Sequence, residues 1–216
     1  MSRVLPILFN TDMVRAILDG RKTVTRRVVG EKVTIVRTDQ EINKNQNGKF
    51  ELYNITPRCG IPQNVFLKPP YQTDDILYVR ETWYKYTKCV GEGENCRLQK
   101  FYGYKASIAN FEDANEKWYP SIHMPREAAR IWLKVTDVRV ERLQDITWQQ
   151  AAKEGCYGST SDEADPLFHL PTLRGEFKKL WNSTLKKSDL DTYGWNANPW
   201  VWVIEFERCE KPESEE

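Results

Sequence analysis

The chain has 216 residues, a formal net charge of +1 and 40% hydrophobic residues, so it can bury a full core and suits neither a disordered polypeptide nor a membrane span. Near-neutrality excludes a protein that coats nucleic acid through bulk charge, but it allows a local basic cleft. No apolar run reaches transmembrane length and residues 1–9 lack the long apolar core of a signal peptide, which predicts a soluble, cytoplasmic protein with no membrane partner.

Residues 4–9 are apolar enough for a first buried strand. Asn10 or Thr11 then caps a helix in which Met13, Val14, Ile17 and Leu18 recur at helical spacing, and Gly20 ends it near Asp19. The stretch 20–27 (GRKTVTRR) follows, with four cations and two hydroxyls within eight residues. In extended chain Thr23 and Thr25 share one face and Lys22 and Val24 the other, so Lys22 and Thr25 meet only if the chain turns between them. Arg21, Lys22, Arg26 and Arg27 are either a solvated basic corner complementing the helix dipole or part of a site.

A short strand is expected over 33–36, and a polar hairpin or loop over 37–53, where Asn43, Asn45, Asn47 and Gly48 mark a turn. Pro57, Gly60, Pro62, Pro69 and Pro70 predict irregular chain. Asp74 and Asp75 form a turn before a strand over 76–79, at whose end Glu81 and Trp83 are either a structural ion-pair carboxylate and a core ring or ligand-facing groups. Gly91 and Gly93 among charges predict a loop over 85–95, and 101–104 a further strand. In 118–126, Pro120 and Pro125 hold extended chain without ladder hydrogen bonds around His123, one of two histidines.

Ile131, Leu133 and Val135 alternate, then Val138 and Val140 continue on the other parity, the phase slip of a bulged barrel strand. Thr147 caps a short helix over 148–154 that Gly155 ends. Glu154 falls in its last turn, where the dipole disfavours an anion, so it calls for a cation or a function. Residues 156–171 are polar and acidic and suit an insertion. Leu173, Phe177, Leu180 and Trp181 make a core-facing helical stripe, and Trp200, Trp202, Ile204 and Phe206 share one face of a last strand. Cys59, Cys89, Cys96, Cys156 and Cys209 are an odd set without a C-x-x-C pair, expected as free thiols; spacing gives no support to a zinc site from Cys59, Cys89, Cys96 and His123, and no metal is expected.

The segments 7–27, 75–83, 120–126 and 198–202 together resemble an ASCH-domain protein of the bacterial and phage kind. The resemblance covers most of the chain except roughly 37–72, 84–117 and 156–172, which look like insertions. It implies an α+β fold, a PUA-like β-barrel flanked by helices, as a single domain over 1–210 with an acidic tail at 211–216 and no cofactor. Small bacterial members are amidohydrolases that remove the acyl group from N4-acetylcytidine with a lysine, a threonine and a glutamate. The first two lie in a Gly-Arg-Lys-Thr-x-Thr motif, which implies Lys22 and Thr25 here, and the glutamate ends a short helix after the bulged strand, which implies Glu154. The implied partner is a modified cytidine nucleoside or RNA, with Arg21, Arg26, Glu81, Trp83, His123 and Arg126 as substrate-binding residues. This chain is longer than those enzymes, and two other readings stand beside theirs. One is a non-catalytic RNA-binding module in which Arg21, Lys22, Arg26 and Arg27 contact phosphate and Trp83 stacks on a base. The other is a ribonuclease using His123 and Arg126.

Overall fold

The computed structural model describes residues 2–30, 42–44, 50–55, 62–91, 96–108, 117–156 and 170–212. The expected strand at 33–36, Cys59 and most of the expected insertion after Cys156 lie outside them. In chain order the elements are β1 (Val4–Leu8), α1 (Thr11–Leu18), β2 (Val24–Val28), β3 (Ile42–Lys44), β4 (Phe50–Ile55), β5 (Pro62–Leu67), β6 (Ile76–Arg80), β7 (Trp83–Val90), β8 (Arg97–Tyr104), β9 (Trp132–Arg142), α2 (Trp148–Lys153), α3 (Leu170–Ser183), α4 (Leu190–Tyr193) and β10 (Trp200–Cys209). The fold is α+β with a mixed sheet. Two compact units are distinguished, one from Met1–Thr23, Asp74–Val135 and Phe206–Glu216, the other from Val24–Thr73 and Thr136–Glu205.

In the first unit the strand order is β1-β6-β9-β10. β1 runs parallel to β6, with Ile7 opposite Val79, and β6 antiparallel to β9, with Leu77 opposite Leu133. The helix α1 forms where its signals place it: Asn10 accepts a hydrogen bond from the Met13 N–H at 2.9 Å, Val14, Ala16 and Ile17 are buried, and Gly20 turns the chain at φ +74°. That left-handed value costs an L-residue roughly 1 kcal/mol or more and glycine almost nothing. The same unit holds a core of Trp83, Met124, Ala128, Ala129 and Trp132, with Tyr78, Tyr102 and Tyr119 packed against it.

Three expectations change in this unit. Residues 85–90 are not loop but part of β7, which pairs along its whole length with β8. Tyr84, Tyr86, Thr87 and Val90 are good strand formers, and the lysines between them stay solvated without breaking the ladder. Cys89 and Cys96 are joined by a disulfide across this hairpin, so neither is a free thiol or a thiolate for zinc; Cys209 is a free thiol. The segment 118–126 is not continuously extended, since short 3-10 turns at Ser121–His123 and Arg126–Ala128 follow Pro120 and Pro125, whose fixed φ suits the start of a turn.

In the second unit the order is β9-β10-β2, and β10 runs antiparallel to β2, with Ile204 opposite Thr25 and Val203 opposite Arg26. Val24, Val201 and Val203 share a core with Leu143, Ile146 and Ala151, closed by Phe177 and Trp181 of α3. Thr147 and Gln150 form a reciprocal capping box at the start of α2. β3, β4 and β5 make a separate antiparallel sheet, so the hairpin expected around 37–53 is present, while 62–67 is strand rather than irregular chain. Pro62 stands at the first strand position, where its missing N–H is tolerated.

The phase slip in β9 is seen as burial: Leu133 and Val135 are buried, Thr136 is exposed, and Val138 is buried again. Among the described residues the strand pairings of neither unit close a barrel. None of their helices is long and apolar enough to cross a membrane.

Candidate functional site

Water is expensive to remove from a polar side chain, so buried polar groups mark where a fold has invested in chemistry or in pairing. Among the described residues the buried polar or charged side chains are Lys22, Thr25, Arg26, Asp75, Glu81 and Glu154. Four of these, Lys22, Thr25, Arg26 and Glu154, come from the two stretches singled out by the sequence.

In the second unit, β2 and the end of α2 supply a charge network. Val24, Arg26 and Val28 project from one face of β2 by strand alternation, and the two valines pack into the core under α2 and α3. Arg26 is thus a cation in an apolar stripe. Its guanidinium lies over the Phe177 ring, 5.7 Å from the centroid, and has no exposed surface. Nη1 donates to Glu154 Oε1 at 3.0 Å, while Nη2 donates to Glu141 Oε2 at 3.3 Å and to Gln150 Oε1 at 3.2 Å. Nε has no partner. Glu154 is the C-cap of α2, with the chain turning at Gly155, so the position the dipole disfavours is offset by an arginine.

The network continues through Glu141 to Arg139, which also pairs with Asp137 and Glu205. Burial works against the Arg139 charge, but hydrogen bonds to Glu141, Glu205 and Asp137 outweigh it and hold its pKa above the ordinary value. For Arg27, desolvation dominates and lowers the pKa against the opposing influence of Tyr71 and Glu154. Thr25 is 2% exposed and alternates with Arg26, so it projects from the opposite face of β2.

In the first unit, the end of α1 fixes Lys22. The N–H groups of Arg21 and Lys22 both donate to the Ala16 carbonyl at 2.9 Å, and the Lys22 ammonium lies over the Phe9 ring, 5.6 Å from its centroid. Lys22 is 2% exposed. Arg21 faces water more and pairs with Asp19 at 2.8 Å.

The other nominated residues separate from one another. Glu81 is buried and accepts two hydrogen bonds from Arg130, Nε to Oε1 at 2.9 Å and Nη2 to Oε2 at 3.0 Å, so its carboxylate is already read by a protein fork. Trp83 belongs to the core, yet its indole N–H has no hydrogen-bond partner. His123 and Arg126 are exposed, and Arg126 lies 5.6 Å from the Trp132 ring centroid.

Comparison with models of protein families, with curated protein sequences and with solved structures finds no match for this chain. Functional argument therefore rests on the residues. Two arginines were missed as partners. Arg26 was nominated for substrate rather than for Glu154, although a lone cation between Val24 and Val28 on one strand face is a signal that it needs a buried anion. Arg130 was not nominated, and no local pattern ties it to Glu81, 49 residues away.

Proposed function

We propose that the protein is an ASCH-type, PUA-like amidohydrolase that removes the acyl group from the exocyclic amine of an N4-acylated cytidine or cytosine through Lys22, Thr25 and Glu154. The observation that carries this reading is their burial: the amine, the hydroxyl and the carboxylate nominated by the sequence are each no more than 3% exposed. Charged and hydroxyl groups withdrawn from water this far act on a bound substrate with little screening. Lys22 and Thr25 are three residues apart, so the chain alone keeps their Cα atoms within about 11 Å.

In the reaction, the neutral Lys22 amine takes a proton from the Thr25 hydroxyl or from water, and the oxygen attacks the acyl carbonyl. The oxyanion is met by backbone N–H groups near Thr25. Glu154 relays the proton taken up by Lys22 to the departing exocyclic amine as the C–N bond breaks and the cytidine amine leaves; where the Thr25 oxygen was the nucleophile, water then cleaves the acyl-threonine ester, releasing the free carboxylic acid and restoring the hydroxyl. Arg26 orients Glu154 for that transfer through the 3.0 Å hydrogen bond from Nη1 to Oε1. Its guanidinium is committed to carboxylates, which weighs against the reading in which Arg26 grips a phosphate.

The test is direct: incubate the protein with N4-acetylcytidine and separate the products for cytidine. Turnover is expected from the wild type, with a loss of at least a hundredfold in Lys22→Met and in Thr25→Val at unchanged circular dichroism. Absence of cytidine from the wild type, or wild-type turnover in both variants, rejects the assignment.

A further inference from the structure

All of the β7–β8 hairpin except Trp83 lies within 84–117, outside the segments that carry the family resemblance, and its composition is unlike that of the chain around it. The 16 residues of β7 and β8 hold four cations, Lys85, Lys88, Arg97 and Lys100, and no carboxylate, in a chain whose net charge is only +1. Six of the 16 are aromatic.

The register sorts these residues onto two faces. Tyr86 lies opposite Phe101 and Tyr84 opposite Gly103, so Tyr84, Tyr86 and Phe101 share a face that Lys88 and Arg97 continue. On it Tyr86 stacks with Tyr84 and with Phe101, centroids 5.6 Å apart in both pairs, and Trp118 meets the Tyr84 ring edge-on at 5.0 Å. Tyr86 is 39% exposed, so the ladder reaches the protein surface. The other face carries Lys85 and Lys100 beside Trp83 and Tyr102, around a cavity of about 560 Å³ with Glu127 at its wall. The Trp83 indole N–H, without a partner, belongs to a side chain lining that cavity.

Lysines on an exposed hairpin protect its edges from pairing with other chains. That role does not explain the stacked rings between them, whose exposure has a cost unless a ligand meets it. A ligand that supplies planar rings and repeated negative charge meets both features.

We infer that the β7–β8 hairpin binds single-stranded nucleic acid. Bases stack on the Tyr84, Tyr86 and Phe101 ladder, and Lys85, Lys88, Arg97 and Lys100 neutralise the phosphates. Open strands are favoured over duplex because stacking needs a base face that pairing within a helix conceals. This inference does not depend on the hydrolase reading.

The experiment is fluorescence anisotropy with labelled oligouridylate and oligothymidylate of about twelve nucleotides, and with a duplex of equal length, across a salt series. Binding of either strand is expected, tighter than the duplex, with log affinity falling against log salt at a slope near −3 for about four phosphate contacts. Lys85→Gln with Lys100→Gln should reduce that slope by about 1.4, and Tyr86→Ala should weaken binding at least about fivefold. The three side chains stand on the hairpin surface, and an unchanged melting temperature confirms that the variants fold. Wild-type protein that binds neither strand, a duplex bound as tightly as the strands, or variants with wild-type affinity and slope would each overturn the inference.

Discussion

Two buried carboxylates, Glu81 and Glu154, sit in comparable isolation from water and are both held by arginine, yet the two arrangements differ in kind. Glu81 takes both prongs of one guanidinium, from an arginine whose side chain remains 26% exposed, and the pair is complete. Glu154 takes one prong of a guanidinium that has no exposure and is divided between Glu154, Glu141 and Gln150, with Nε unmatched. A closed fork is a structural clasp. A shared cation with spare capacity is what a carboxylate needs if it is to gain and lose a proton during turnover.

The comparison is broken most sharply by the largest effect expected. Glu154→Gln keeps an acceptor for Arg26 and removes the titrating oxygen, so hydrolysis of N4-acetylcytidine should fall by about 10²–10⁴-fold while the folded protein survives. Activity near the wild-type level in this variant would make Glu154 a clasp like Glu81. Next comes the converse. Glu81→Ala strands the Arg130 charge, and a loss of about 3–5 kcal/mol in unfolding free energy is expected from urea denaturation. A loss under about 1 kcal/mol would show that the pair is not a structural clasp.

The smallest effect concerns Tyr104, whose ring lies under Arg130, 4.0 Å from the guanidinium carbon. Burial raises its pKa first; Arg130 lowers it and Glu81 raises it, for a net upward shift. A phenol whose folded pKa exceeds its unfolded value of about 10 contributes stability that is complete below that pH and is lost as pH rises through the folded value. An ultraviolet titration comparing the wild type with Tyr104→Phe should show the missing tyrosine ionising above the ordinary phenol value of about 10. Ionisation at or below about pH 10 would contradict the burial assigned to it.

Local signals were legible where one short stretch decides the structure. Asn10, the apolar spacing of α1 and Gly20 specify that helix, and Thr147 specifies the start of α2. The errors have a common physical origin, which is that punctuation residues were given too much weight. Pro62 does not prevent β5, because it occupies the one strand position that needs no donor, and the lysines of β7 do not prevent a hairpin whose faces are largely solvated. The site was legible as residue types and not as pairings. The stretch 20–27 stands out by composition and Glu154 by an ill-placed charge, and only the family resemblance selects Lys22 and Thr25 within that stretch; the choice of Arg26 as the partner of Glu154 depends on a contact 128 residues distant, which no window of sequence contains.

Gly103 gives the hairpin an unusual vulnerability. A methyl group built on its backbone would stand 2.0 Å from the Tyr84 ring, so the ring occupies the space that any other residue would claim. The smallest possible substitution there evicts an aromatic plane from a ladder whose other members are untouched. The shape of that surface is therefore maintained by a hydrogen atom, and it can be dismantled without changing a single charge.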